Sequence, residues 1–99
     1  MARRRTTGVF AISVAADMVA MQVQNLRVYE RRGLLTPDRT AGGTRLYSEA
    51  DIERLERIRD LLGEGLNIAG VARVLALEDE VARLRAENTR LRGAGGPRA

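Results

Sequence analysis

A single non-helical segment, residues 33–47, interrupts a chain whose pattern is otherwise helical, and this interruption constrains the fold more than any other feature of the sequence. It contains Gly33, Pro37 and the pair Gly42-Gly43. Proline cannot continue a helix, and glycine reaches the positive φ values that tight hairpin turns require. We therefore predict that a helix ends at Gly33 and that a β-hairpin follows over residues 38–47, turning at the glycine pair.

Two short helices are predicted before the hairpin. Ser13 suits an N-cap, because its hydroxyl can accept a hydrogen bond from a backbone N–H two or three residues further on, and the first helix then covers residues 14–20. The second helix is predicted over residues 23–32, with Leu26 and Tyr29 on one face by their spacing. Two short helices joined by a tight turn form a helix-turn-helix.

Two further helices are predicted after the hairpin. Ser48, with Asp51 three residues on, resembles a capping box and opens the third helix. Its predicted apolar stripe consists of Ile52, Leu55, Ile58 and Leu62. The fourth helix is predicted to begin near Asn67.

From Leu77 onward, apolar residues recur at alternating intervals of four and three. The repeat consists of Leu77, Val81, Leu84, Asn88 and Leu91. This spacing has the period of a coiled coil, in which a lone polar residue such as Asn88 sets the register and the number of helices. Because two heptads form only a marginal helix alone, we expect dimerisation to use residues of the fourth helix such as Val74 and Leu75 as well.

These patterns together predict a mostly α, winged helix-turn-helix fold with a short β-hairpin wing and a C-terminal dimerisation helix. A disordered basic arm is predicted over residues 1–8, and the DNA-binding domain over residues 9–76. A coiled-coil dimerisation helix is predicted over residues 77–92, and a disordered tail over residues 93–99.

The charge of the chain favours a polyanionic partner. The net charge is +4, and all 17 basic residues are arginine, which binds phosphate bidentately and reaches guanine edges. The whole basic surplus falls in residues 1–59, which contain the helix-turn-helix and the hairpin. The codon bias of a GC-rich genome is an alternative explanation for the arginine excess.

The composition also excludes several kinds of site. The chain has neither cysteine nor histidine, so it can assemble no disulfide, no Ser-His-Asp or Cys-His set and no metal site of the usual soft ligands. We expect no enzymatic activity, no cofactor and no metal. No apolar run approaches the roughly 20 residues that span a bilayer, and no signal peptide is recognisable. The expected location is therefore cytoplasmic, on the nucleoid.

The second helix and the hairpin carry the predicted DNA contacts. A major groove admits one helix, and a wing can clamp the phosphate backbone beside it. The predicted contact residues are Ser13, Gln24, Asn25, Arg27, Tyr29, Arg31, Arg39, Gly43 and Arg45. Phosphate contacts of this kind predict an affinity that falls steeply with salt.

Three stretches of the chain resemble the MerR-type regulators. They are Ile12-Ser13-Val14-Ala15-Ala16, then Leu26-Arg27-Val28-Tyr29-Glu30-Arg31-Arg32-Gly33-Leu34-Leu35, and then Arg45-Leu46-Tyr47-Ser48 with Asp51-Ile52. The second stretch is similar to the family pattern Leu-Arg-Tyr-Tyr-Asp-x-x-Gly-Leu-Leu. Gly42-Gly43, Gln24 and residues 64–70 most resemble the heat-shock repressor branch, HspR. The resemblance covers residues 12–78.

The resemblance implies that Arg27, Tyr29, Arg45 and Tyr47 contact DNA. It further implies a homodimer formed through an antiparallel coiled coil, bound to an inverted repeat. In the HspR branch it implies repression, with a DnaK-type chaperone as co-repressor. Val28 stands where the family pattern has the first tyrosine of its pair, so a contact there is lost or only apolar. The short region after the fourth helix leads us to expect a protein co-regulator rather than a ligand-binding domain.

Two other functions are compatible with the same patterns. An architectural, segregation or excisionase-type winged-helix protein would bind DNA without controlling a promoter. A protein-interaction module would use the coiled coil as its functional part and would show no salt-dependent DNA binding.

Overall fold

A computed structural model describes residues 4–95 of the chain and confirms the predicted fold class. The described residues form two units, one ending at Gly65 and the other beginning at Leu66. The elements are α1 (Ile12–Val19), α2 (Val23–Arg31), β1 (Asp38–Arg39), β2 (Arg45–Leu46), α3 (Glu49–Gly63) and α4 (Ile68–Gly95). The fold is thus mostly helical, with a two-stranded antiparallel hairpin and a long C-terminal helix.

The first unit is built around α1, which packs against both α2 and α3. Its largest fully buried side chains are Val19, Leu26, Tyr47, Leu55 and Ile58. Two arginines of α3 add hydrogen bonds to main-chain carbonyls of other segments. Arg59 donates to the Val19 carbonyl at 2.7 Å, and Arg54 donates to the Leu34 carbonyl. The Val19 carbonyl lies in the last turn of α1, where carbonyls lack intrahelical donors.

The start of α1 differs from the prediction. The N-cap is Ala11, with no side-chain hydrogen bond, and Ser13 lies inside the first turn with an exposed side chain. The reason is a strand-like contact just before the helix: Phe10 and Tyr47 form an isolated antiparallel bridge. This bridge keeps the chain extended up to Phe10, so the helix begins as soon as the bridge ends.

The turns around α2 require left-handed backbone conformations. Ala20 ends α1 at φ 55°, and Gly33 follows α2 at φ 75°, as predicted for the residue after a helix. In the hairpin, Gly43 has φ 87° while Gly42 is not in the positive region. The prediction that both glycines supply positive φ is therefore wrong for Gly42. The amide of Gly43 donates to the carbonyl of Thr40 at 2.9 Å, which closes the turn.

The capping box that opens α3 is confirmed. The Ser48 hydroxyl accepts from the Asp51 amide at 3.0 Å, and the Asp51 carboxylate accepts from the Ser48 amide at 2.9 Å. Of the predicted stripe, Ile52, Leu55 and Ile58 are buried. Leu61 completes the stripe in place of Leu62, because three-residue steps from Ile52 reach position 61.

Residues 4–8, which belong to the predicted arm, have bonds to the wing and to α3. The Gly8 amide donates to the Asp38 carboxylate at 2.8 Å, and the Arg5 carbonyl accepts from the Ala50 amide at 3.1 Å. Arg5 also forms an ion pair with Glu53. Residues 1–3 of the predicted arm lie outside the described residues.

The second unit contains α4. Asn67 caps the helix, since its side-chain oxygen accepts from the Gly70 amide at 2.8 Å. One continuous helix carries both the predicted fourth helix and the predicted coiled-coil residues. It extends to Gly95 and so includes the first three residues of the predicted tail, while residues 96–99 lie outside the described residues. None of the helices among residues 4–95 combines the length and apolarity needed to cross a membrane.

Candidate nucleic-acid interface

The exposed face of α2 carries three of the predicted base-contacting side chains. Gln24, Arg27 and Arg31 are all exposed. Their spacing of three and four residues places them on one helix face, opposite the buried Leu26 and Tyr29. Within the described part of the chain, Arg27 forms no hydrogen bond or ion pair that would hold its guanidinium group. This face therefore presents two arginines and a glutamine amide to solvent. These side chains can hydrogen-bond to the edges of guanine and adenine.

Asn25 and Ser13 are also exposed. Asn25 follows Gln24 on α2, and Ser13 lies in the first turn of α1. Both side chains are accessible, as a DNA-contacting role requires. The exposed wing-tip residue Gly43 has no Cβ and has open space around it.

The wing places two arginines directly opposite each other. Asp38 pairs with Leu46, and Arg39 pairs with Arg45 across the antiparallel ladder. Like charges in directly opposite positions destabilise a two-stranded ladder. A compensating negative charge is therefore expected close to this pair.

Glu30 of α2 provides that charge. One carboxylate oxygen, Oε2, accepts from Nη2 of Arg39 at 2.8 Å, and the other, Oε1, accepts from Nε of Arg45. Arg39 also donates through Nη1 to the Gly43 carbonyl at 2.8 Å, which connects the pair to the wing tip. We call this group of Glu30, Arg39 and Arg45 the wing clamp. It links α2 to both strands of the wing.

The wing clamp changes the acidity of its members. Burial on its own would raise the pKa of Glu30, but the hydrogen bonds and positive charges of Arg45 and Arg39 outweigh it and hold the pKa below its ordinary value. The hydrogen bond to Glu30 raises the pKa of Arg45. Glu30 is therefore ionised at neutral pH, and its negative charge offsets one of the two guanidinium charges of the clamp.

The two tyrosines are interior residues in this structure. Tyr29 is buried on α2, and Tyr47 is fully enclosed at 0% exposure. Burial raises the pKa of both, and for Tyr47 the negative charge of Glu30 adds to the effect. The Tyr47 hydroxyl has no hydrogen-bond partner within the described residues. Tyr47 therefore does not present its hydroxyl at the surface on which Arg27 and Arg31 lie.

An apolar stripe runs along α4. Leu77, Val81, Leu84 and Leu91 are about half exposed although they are large and apolar. A shallow groove on the first part of the stripe is lined by Val74, Leu77, Glu78, Val81, Ala82 and Arg85. Asn88 is exposed within the stripe. Solvent-exposed apolar residues in a continuous row are typical of a surface that another chain covers.

The comparison with known families matches the region that contains α1, α2, the wing and α3. Residues 10–78 match the model of the "MerR HTH family regulatory protein". The chain belongs to the MerR family. The predicted resemblance is thereby confirmed.

Individual MerR relatives agree with this assignment. The chain is 47% identical over 89 residues to a "Putative heat shock protein HspR" of Streptomyces coelicolor, covering 89% of this chain and 59% of that protein. This chain thus spans well under two thirds of that relative's length. The N-terminal part of MtaN, the Bacillus subtilis multidrug transporter activator, has a similar structure, with a TM-score of 0.65 and 26% identity over 84% of this chain and 88% of that one. HiNmlR, a MerR family regulator lacking the sensor domain and bound to promoter DNA, has a TM-score of 0.65, covers 82% of this chain and 67% of that one, and at 21% identity shows the shared fold.

Sequence reasoning missed the role of Glu30, although the MerR-like stretch contains it. Its partners Arg39 and Arg45 lie 9 and 15 residues further along the chain. No local spacing rule connects a helix residue to a hairpin at such distances. The only available signal was that two arginines face each other across a predicted hairpin, which calls for a nearby carboxylate.

The enclosed position of Tyr47 gives a direct test of its role. We expect Tyr47→Phe to change the free energy of unfolding by no more than about 1–2 kcal/mol and with either sign, because the lost hydroxyl is buried and unpaired. We also expect its DNA affinity to equal that of the parent. Urea denaturation and fluorescence anisotropy with a labelled duplex measure the two quantities.

Tyr29→Phe makes the same chemical change on α2 and is the matched comparison. A tenfold weaker DNA affinity of Tyr47→Phe at unchanged stability would contradict its interior role. It would instead support the predicted contact between Tyr47 and DNA.

Proposed function

We propose that this MerR-family chain is a transcription regulator that binds a specific double-stranded DNA site as a homodimer. The observation that supports this most directly is the exposed face of α2. It combines Gln24, Arg27 and Arg31 beside a wing that carries Arg39 and Arg45. The helix is of a size that one major groove accepts, and the wing lies next to it in the same unit. HiNmlR, which shares the fold, is described as bound to promoter DNA.

The apolar stripe on α4 supports the homodimer. Its spacing fits a coiled coil, and a second copy of the same stripe is self-complementary under two-fold symmetry. A two-fold dimer presents two copies of α2, so the proposed DNA site is an inverted repeat. The Leu77, Val81 and Leu84 side chains are proposed to form the centre of this interface, with Val74, Asn88 and Leu91 flanking them.

Repression is the proposed outcome of binding. The similarity to a protein named as a heat shock protein of HspR type supports this assignment. A DnaK-type chaperone remains the proposed co-repressor. Adding purified DnaK to a DNA-binding assay tests this partner. An unchanged affinity of the protein for DNA would contradict it.

MerR membership favours this function over the two alternatives considered from the sequence. An architectural, segregation or excisionase-type protein would bind many sites or bend DNA without controlling a promoter. A module that acts only through its coiled coil would not need the exposed arginines of α2. Binding-site selection from a random duplex library tests for an enriched inverted repeat. Genome-wide mapping of the bound sites separates a regulator from the first alternative, because few sites at promoters favour a regulator. A gel-shift titration at two salt concentrations tests the second alternative, which predicts no salt-dependent DNA binding.

Arg27→Ala is expected to reduce affinity for the selected site by about 1–3 kcal/mol and to relax base preference at one position in each half-site. The reason is that a free guanidinium group on the exposed face of α2 can bind a guanine bidentately. Arg90→Ala on α4 removes the same charge from another exposed position and serves as the control. Fluorescence anisotropy on the selected and base-substituted duplexes measures the effect. If the Arg27→Ala protein bound DNA like the parent, the proposed contact between α2 and DNA would be contradicted.

A further inference from the structure

The wing clamp is an unusual arrangement for a surface that binds phosphate. Arg39 and Arg45 are the cationic side chains of the two wing strands, and both bond to the carboxylate of Glu30. The Glu30 side chain is only 17% exposed, whereas Arg39 remains 46% exposed. The carboxylate thus lies beneath the arginines, while part of each guanidinium group stays available to solvent.

This arrangement fixes the arginines in space. Arg39 has acceptors on two sides, the Glu30 carboxylate and the Gly43 carbonyl, both at 2.8 Å. Arg45 is held by the second oxygen of the same carboxylate. A guanidinium group held in this way can meet a phosphate in only one geometry, whereas a mobile arginine can follow any backbone.

The carboxylate also reduces the net charge of the wing. Non-specific affinity for duplex DNA grows with the number of phosphates that a protein neutralises. With Glu30 present, two arginines contribute one net positive charge. A wing without this carboxylate would therefore bind any duplex more strongly.

We propose that Glu30 is a positioning residue that sets DNA selectivity, because it holds Arg39 and Arg45 in one geometry and cancels one of their charges. This inference depends on the proposed DNA-binding function. It assigns to Glu30 a role that requires no contact between Glu30 and DNA. Its effect is to lower binding to unrelated duplexes more than binding to the cognate site.

The test compares Glu30→Gln with the parent on two labelled duplexes, the selected inverted repeat and a scrambled duplex of equal length. Glutamine keeps the size of the side chain and removes its charge. We expect Glu30→Gln to bind the scrambled duplex at least about threefold more tightly, with the slope of log affinity against log salt steeper by about one. The ratio of specific to non-specific affinity falls accordingly.

Two further variants complete the experiment. Glu64→Gln makes the same change in net charge at an exposed position after α3, and it is expected to keep the parental slope and ratio. Glu30→Asp keeps the charge but has a shorter reach, so it is expected to keep the parental slope while losing part of the selectivity. Circular dichroism and urea denaturation establish that each variant is folded. If Glu30→Gln does not fold, the Glu30→Asp variant tests the inference by itself.

The outcomes separate this inference from the proposed function. A parent that binds neither duplex overturns the proposed function, and this inference with it. A parent that binds, together with a folded Glu30→Gln protein of unchanged slope and ratio, overturns this inference alone. A Glu30→Gln protein that binds both duplexes equally less well also overturns it, because that result shows only a structural role.

Discussion

A protein carrying Val81→Glu and Leu84→Glu is expected to be monomeric at concentrations at which the parent is a dimer. Both side chains are about half exposed on the isolated chain and lie at the centre of the apolar stripe of α4. In the proposed dimer each glutamate would be buried without a partner, which costs several kcal/mol. We expect the dimer dissociation constant to rise by at least about 100-fold, which corresponds to about 2.7 kcal/mol.

Sedimentation equilibrium measures this constant, and circular dichroism checks that α4 is intact. Ala86→Glu is the matched control, because Ala86 is exposed on α4 five residues from Val81 and lies on the outer face of the heptad repeat. As dimerisation is lost, affinity for the inverted repeat is expected to fall, while affinity for a single half-site stays unchanged. A double variant that remains dimeric at parental affinity would show that α4 does not form the interface.

Gly8→Ala is expected to destabilise the first unit by about 1–3 kcal/mol, the usual cost of overpacking. A Cβ atom at Gly8 would clash with the Leu46 carbonyl oxygen and would lie 2.8 Å from Cβ of Asp38. The carbonyl belongs to the wing backbone and cannot turn aside as a flexible side chain can. The N-terminal segment or the wing must therefore shift, which also lengthens the Gly8–Asp38 hydrogen bond.

Thermal or urea denaturation measures the loss. Gly42→Ala, in the hairpin that Gly8 contacts, is the control. A Cβ at Gly42 would meet only the Thr40 hydroxyl oxygen at 3.9 Å, and the backbone of Gly42 is not in the positive φ region. That substitution is expected to be nearly neutral. If Gly8→Ala were as stable as Gly42→Ala, the close approach between the N-terminal segment and the wing would be refuted.

Local chemistry explains which parts of the fold were predictable from the sequence. The Ser48 capping box and Gly33 after α2 depend on residues three or four positions apart, so both could be predicted. The fold class followed from the same local patterns together with the resemblance to MerR-type regulators. The apolar stripe on α4 was predictable for the same reason, because a heptad repeat is a pattern of residues three and four positions apart.

Contacts between distant segments explain what the sequence could not predict at the N-terminus. The first turn of α1 starts before Ser13 because Phe10 is bridged to Tyr47. Residues 4–8 bond to the wing and to α3, and their own sequence does not indicate these bonds. The candidate site shows the same division: the polar residues of α2 could be named from the sequence and are exposed in the structure, while the link from Glu30 to the wing could not be predicted.

The bonds from α3 to α1 and to the segment after α2 affect how the exposed residues of α2 can change in evolution. Arg59 and Arg54 donate to main-chain carbonyls of Val19 and Leu34. Since every amino acid carries such a carbonyl, these attachments persist whatever side chains evolve nearby. The outward residues of α2 can therefore be exchanged with little penalty to the scaffold, which makes this helix a suitable place to redirect the protein to new operators.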